Sequence, residues 1–304
     1  MEKINPYKYE IINLTFIKYS MTYMTEDDWN KYILPILKDD KSFSAELKQI
    51  IYIQNIFLEL LERIFPKESH NALKQNILYS SMIYYYKYIL SNQIHHSAIS
   101  LEEKIFLGLS CIFIAFKAER KILDIDYLIK KVLPYLNDKI TKNNDIQKER
   151  LKETIFDREY KILISFECNM GIDNPYLFLR NIKAYLEEIK IQNDIIGEII
   201  KDINYCINDS LLFPLYLYYT SYEIALSSTL IVIYKKNYNF INLNDLIKLT
   251  KLEIDKERIN QCTVYIKKIC NALEEKKSVT KYNVQDSSRN NLNFTNILSI
   301  NANQ

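Results

Sequence analysis

The residues able to do chemistry are few, and their spacing argues against catalysis. The histidines are His70, His95 and His96. A zinc centre needs three or four ligands converging on one point, and the His95-His96 pair sits in a polar stretch with no Cys or carboxylate beside it. There is no His-Asp dipeptide of the kind a helical metal phosphohydrolase uses. The doublets Asp27-Asp28 and Asp39-Asp40 lack the third acid that would hold magnesium for prenyl transfer. Neither a phosphate-cradling G-x-x-x-x-G-K loop nor a G-x-S-x-G nucleophile turn occurs. The expectation is a non-enzyme with no metal and no cofactor. Tyr84-Tyr85-Tyr86-Lys87-Tyr88 could stack on bases, but on a helix these rings point all round and read as packing. What remains is Lys117 with Glu159. They could be an ion pair at the edge of a core or part of a patch that grips another protein, and the residues alone leave both readings open.

The element that must position Lys117 is a helix over residues 100–120. Ser100 and Glu103 have capping-box spacing, and Ile105–Phe116 is apolar on nearly every face, which predicts a helix surrounded by others. Gly108, Cys111 and Ala115 make a small-residue stripe that lets a neighbour come close. Lys117 then puts a cation where the helix emerges. A second copy follows. Thr220–Glu223 repeats the cap, and Leu107-Gly-Leu-Ser-Cys111 is echoed by Ile224-Ala-Leu-Ser-Ser228, 117 residues later. Two tandem helical units, each wrapped around one central helix, are expected.

Composition agrees. The 304 residues include only 3 Gly and 6 Pro, too few for a turn-rich sandwich, barrel or Rossmann fold, so the chain reads as all-α. A net charge of +2 from 40 basic and 38 acidic residues, spread evenly, leaves no basic stripe for nucleic acid. Five cysteines without a C-x-x-C pair read as reduced thiols of a nuclear or cytosolic protein. The first residues do not read as a secretory signal. The apolar run 211–234 contains Pro214 and Glu223, and reads as core helices rather than a membrane span.

Periodicity then places the elements. Residues 1–46 form an N-terminal segment with a short helix capped at Thr25 and broken near Pro35, followed by a polar interval. A first unit, 47–170, contains an amphipathic helix from Leu47 to before Pro66 and one capped at Ser69 running to about Leu90. A loop over 92–97 leads to the central helix. A helix over 122–135 closed by Pro134, a polar insert over 137–147, and a fifth helix carrying Leu151, Ile155, Tyr160, Leu163 and Ile164 complete the unit. A second unit, 171–276, repeats the scheme with helices near 174–190, 194–212, 221–236, 243–249 and 254–275. Residues 277–304 read as a disordered tail.

Phe113-Ile-Ala-Phe-Lys-Ala-Glu119 and Arg158-Glu-Tyr-Lys-Ile-Leu-Ile-Ser-Phe166, set within two five-helix repeats, resemble the motifs of the cyclin family. The resemblance covers about residues 47–275. It implies two tandem five-helix cyclin boxes with an extra N-terminal helix. It also implies a non-catalytic subunit that binds and activates a cyclin-dependent kinase. The kinase-contacting roles fall on Lys117, Glu119 and Glu159, with Leu163 one turn on. Ile172-Asp-Asn-Pro-Tyr176 and Leu217-Tyr-Tyr-Thr220 followed by Glu223-Ile-Ala-Leu226 are most similar to the cyclin H type. That type implies a nuclear or cytosolic kinase-activating complex with a RING-type assembly factor, and no direct contact with nucleic acid or membrane. Departures are Cys168 where Phe is usual, with Phe166 expected to substitute; Met170 where an aliphatic is usual; Arg120 in place of an acid; and Ser221 in place of Pro. No Met-Arg-Ala-Ile-Leu docking patch is present and no Arg occurs before residue 50, which argues against a mitotic or S-phase type. An elongation-type cyclin of the C, K or T kind is the neighbouring reading. A transcription initiation factor of the B type shares the double fold, but would bring a zinc ribbon and a basic face.

Overall fold

The computed structural model describes residues 24–65, 71–92, 99–140, 148–238, 241, 243–250 and 255–283. Ser69, the loop around His95-His96, the insert over 141–147 and residues 284–304 lie outside them, as does His70.

All described secondary structure is helical. Thr25 caps α1 (Glu26–Asp28), and a π-helical turn, Trp29–Ile33, leads into α2 (Leu34–Lys38). Pro35 does not break the segment as expected. It sits in the first turn of α2, directly after the π-helical turn, where the wide bond from Leu34 N–H to the Trp29 carbonyl carries the helix into the proline. The expected polar interval is also helical, because Asp39 accepts from Ser42 N–H at 2.8 Å and starts α3 (Asp40–Ile64) ahead of Leu47. Phe43, Leu47, Ile50, Phe57, Leu61 and Ile64 give α3 one apolar face. Then come α4 (Asn71–Ser91), α5 (Leu101–Ala118), α6 (Ile125–Ile140) and α7 (Lys148–Ser165). Pro134 lies inside α6 rather than at its end, and Ile122 is fully exposed ahead of it.

α5 is buried from Ile105 to Phe116 and packs on α3, α4 and α7. The small-residue stripe does what its spacing suggests: a Cβ on Gly108 would meet the Phe57 ring at 3.0 Å. After a linker come α8 (Pro175–Glu188), α9 (Asn193–Ser210), α10 (Ser221–Lys236), α11 (Leu243–Thr250) and α12 (Lys256–Asn283). α10 is the second buried centre, touching α8, α9, α11 and α12. α12 continues past Lys277, where the tail was expected to begin.

The two centres are built alike. Ser110 Oγ on α5 reaches the Ile155 carbonyl of α7 at 3.4 Å, and Ser227 Oγ on α10 reaches the Ile259 carbonyl of α12 at 3.0 Å. The caps differ. Thr220 and Glu223 form the full reciprocal box, whereas at α5 Glu103 N–H donates to the Ser100 hydroxyl at 3.1 Å but its carboxylate pairs with Arg158 at 2.5 Å instead of returning to the cap. The caps are also 120 residues apart against 117 for the echo, so α10 starts one turn later in its unit.

The units are joined through tyrosines rather than a loose linker. Tyr84 donates to the Met170 carbonyl at 2.8 Å, Tyr79 to Asp173 at 3.2 Å and Tyr86 to Leu211 at 3.4 Å. Within the tyrosine run Tyr84, Tyr85 and Tyr86 are buried and Tyr88 is half-buried, which answers its base-stacking reading. The N-terminal segment is docked on the second unit: Trp29 stacks on Tyr218 with centroids 4.7 Å apart, and Phe43 stacks on Phe213 at 5.1 Å. No described helix is long and apolar enough to cross a membrane.

Candidate functional site: the edge of α5 and α7

Glu159 occupies a position on α7 that should be apolar. Leu151, Ile155 and Ile162 face the core with it, and an unpaired carboxylate there would be costly. Lys117 removes that cost. Its ammonium donates to Glu159 Oε1 at 2.6 Å and lies 4.2 Å from the centre of the Phe113 ring. The pair is lopsided, since the Lys117 side chain is 52% exposed and that of Glu159 12%. One end is anchored in the core and the other is open to solvent.

Lys117 stands at the rim because α5 ends there. Glu119 is the C-cap, half-buried, with its N–H shared between the Ala115 and Lys117 carbonyls. Arg120 follows in the left-handed region (φ 53°), and Lys121 N–H closes back on Phe116 at 2.9 Å.

Leu163 is half-buried one turn beyond Glu159. Phe166 is not at the surface as the substitution for Cys168 required. It is 3% exposed, lying beneath Lys87, whose ammonium is 4.3 Å from the ring centre, and beside Tyr84. The reason is the turn that ends α7: Glu167 and Cys168 both adopt positive φ, and Cys168 N–H returns to Leu163 at 2.8 Å, which folds Phe166 inward. Cys168 is exposed instead. Met170 is half-buried and tethered through its carbonyl to Tyr84.

Sequence reading missed the outer face of α7. Phe156, Tyr160 and Ile164 recur every four residues and are all exposed, Tyr160 at 64% and Ile164 at 56%. Tyr160 and Ile164 keep the helical period but do not face the core. The signal was present, because Leu151, Ile155, Glu159 and Ile162 set the inner phase, leaving these three out of step. The result is an apolar stripe beside one half-open ion pair.

No protein-family model matches the sequence, and no curated protein is similar to it. Solved structures are. One chain of the yeast TFIIK (Kin28/Ccl1/Tfb3) complex aligns with a TM-score of 0.53 at 17% identity, over 82% of this chain and 97% of that one. A chain of the CAK complex from Chaetomium thermophilum bound to ATP-gamma-S aligns with a TM-score of 0.45 at 14% identity, over 79% and 70%. The first of these likenesses shows the fold: all-α and cyclin-like.

Proposed function

We propose that this chain is a regulatory, non-catalytic subunit of the cyclin H type that binds and activates a cyclin-dependent kinase. The observation that carries the reading is the α5–α7 edge, where Lys117, half-open on Glu159, stands beside Phe156, Tyr160, Leu163 and Ile164. The fold shared with a chain of yeast TFIIK supports it. Residues 47–170 and 171–276 are then two cyclin boxes, preceded by an N-terminal segment over 1–46. Lys117, Glu119, Glu159, Leu163 and Met170 make the kinase contact, with Phe166 supporting it from beneath. A RING-type assembly factor as third partner and a nuclear location belong to the same reading.

The mechanism is packing rather than chemistry. A kinase needs its αC glutamate paired with the β3 lysine before phosphoryl transfer. A stiff helical surface that binds the inward pose more tightly than the outward one shifts that balance. Moving it from 1:99 to 99:1 takes about 5.5 kcal/mol of differential affinity. A desolvated aromatic stripe with one charged anchor is the composition that concentrates binding energy.

The test is to capture the full chain from nuclear extract, identify the kinase that comes with it, and assay that kinase with and without the chain. Activation by the wild type, lost on Lys117→Ala or Tyr160→Asp, is the expected result. Activation unchanged by either substitution would remove the site.

A further inference from the structure

A second candidate site lies between the units, on helices that take no part in the α5–α7 edge. The start of α4 and the outer sides of α8 and α9 border an open cleft of about 270 Å³ lined by Gln75, Asn76, Tyr176, Arg180, Lys183 and Asn204, with Leu179 and Ile200 as its apolar part. Its charged groups, Arg180 and Lys183, can only donate, and the amides of Gln75, Asn76 and Asn204 can turn an NH₂ towards an acceptor. The Arg180 guanidinium has no hydrogen-bond or ion-pair partner among the described residues, and the same holds for the half-buried amides of Gln75 and Asn204. The Asn76 amide oxygen is taken by Asn174 at 3.0 Å, which leaves its NH₂. Tyr176 is already committed, its hydroxyl donating to Asn208 at 2.5 Å. No carboxylate lines the cleft; the nearest claim on its cations is Glu187, 3.8 Å from Lys183 on the exposed side of α8.

Two cations and three amides from three helices line one space, too small for a nucleic-acid strand. We infer that this cleft binds a dianionic phosphoryl group, carried on a phosphorylated side chain or free as phosphate. A guanidinium fork and an ammonium suit the phosphoryl oxygens, which also exceed in number what a carboxylate could offer to five donors. Leu179 and Ile200 give the carrier's aliphatic part an apolar surface. Bound there, the anion bridges the first unit to the second.

The test titrates the full chain, labelled with ¹⁵N, with inorganic phosphate, with blocked phosphoserine and with blocked serine, all at one ionic strength set with chloride. Saturable shifts at Gln75, Asn76, Arg180 and Asn204 with a phosphorylated probe, absent with serine, are expected. Saturation by phosphoserine assigns the source to a modified side chain, and saturation by inorganic phosphate alone assigns it to the free anion. The exposed substitutions Arg180→Ala and Lys183→Ala should together weaken binding at least about tenfold. Shifts that fail to saturate with either phosphorylated probe, or that persist in the double variant, overturn the assignment. Neither result bears on Lys117.

Discussion

Lys117 and Arg258 each pair with a glutamate of their own unit, yet they do different things. Arg258 holds Glu223 through two bonds of 2.7 and 3.2 Å, donates to the Tyr218 carbonyl at 2.9 Å, and lies over the Tyr218 and Tyr219 rings. Glu223, 7% exposed, also completes the cap of α10. Removing Arg258 strands a buried carboxylate, so Arg258→Ala should cost about 3–5 kcal/mol. Lys117 is half in water, so once it is gone the Glu159 carboxylate can take up solvent where the ammonium stood, and the loss stays at about 1 kcal/mol, that of an exposed pair. In urea, Lys117→Ala should therefore shift the unfolding midpoint little while Arg258→Ala shifts it far. Equal losses would make Lys117 a structural residue and take away its role at the surface. Asp39 shows the pH side of the same scale. The Ser42 hydroxyl and N–H bonded to its carboxylate hold its pKa below the ordinary 3.8. A depressed pKa means that the unfolded chain takes up the proton first. The contribution of this cap is thus complete above pH about 4 and is lost as pH falls through the lowered value. Asp39→Asn keeps a capping oxygen but cannot titrate, so thermal melts from pH 6 to pH 2.5 should show a shallower acid decline than in the wild type.

At the scale of elements, what was legible had a local cause. Ser100, Thr220, Thr25 and Pro175 announce helix starts through their own side chains, and all four stand where helices begin. The buried centres α5 and α10 were readable because apolar residues run round every face. Other features depended on distant partners. Nothing near Pro134 says that α6 goes on to Ile140. The turn that ends α7 carries Phe166 inward, but that Tyr84 and Lys87 roof it there is set far back in the chain. Helix ends were hidden for another reason, namely that the chain has 3 glycines to mark them with. Arg120, Cys168, Lys190 and Asn237 adopt left-handed φ, and the next N–H or the one at that residue returns to the preceding turn. A side chain in that region costs about 1–2 kcal/mol against glycine, part of which glycine loses again in unfolded-state entropy. Lys190 (φ 60°) is exposed beyond α8, so Lys190→Gly should stabilise the protein by about 0.5–1 kcal/mol in urea unfolding. A loss of stability would mean that the closing bond from Ile191 to Leu186 depends on the lysine itself.

The two units look separable in sequence, but the packing of the whole molecule ties them together. α12 gives Ile259 to the core of the second unit, while Cys262, Ile266, Ile269 and Cys270 belong to the same apolar cluster as α3, α4 and α5. The turn over 211–219 after α9 joins that cluster as well, and the N-terminal segment locks it from outside. There Trp29 touches Tyr218, Tyr219 and Tyr265, and Lys268 of α12 donates to the Leu37 carbonyl at 2.8 Å and pairs with Asp40 at 2.5 Å. Cores that share a helix cannot unfold one at a time without opening that helix to water, so the folded chain should melt as one unit. Trp29 is the single tryptophan, which makes its fluorescence a report on the docking of the N-terminal segment against the second unit. In urea its transition should coincide with the loss of helical circular dichroism. Phe213→Ala deletes the ring stacked on Phe43 from the shared cluster and should cost about 3–5 kcal/mol. Both probes should move together to lower urea in that variant, because Phe213 serves the segment and both units at once. If the Trp29 signal instead fell well before helicity in the wild type, the segment would be a detachable arm, and a partner could engage the second unit without it.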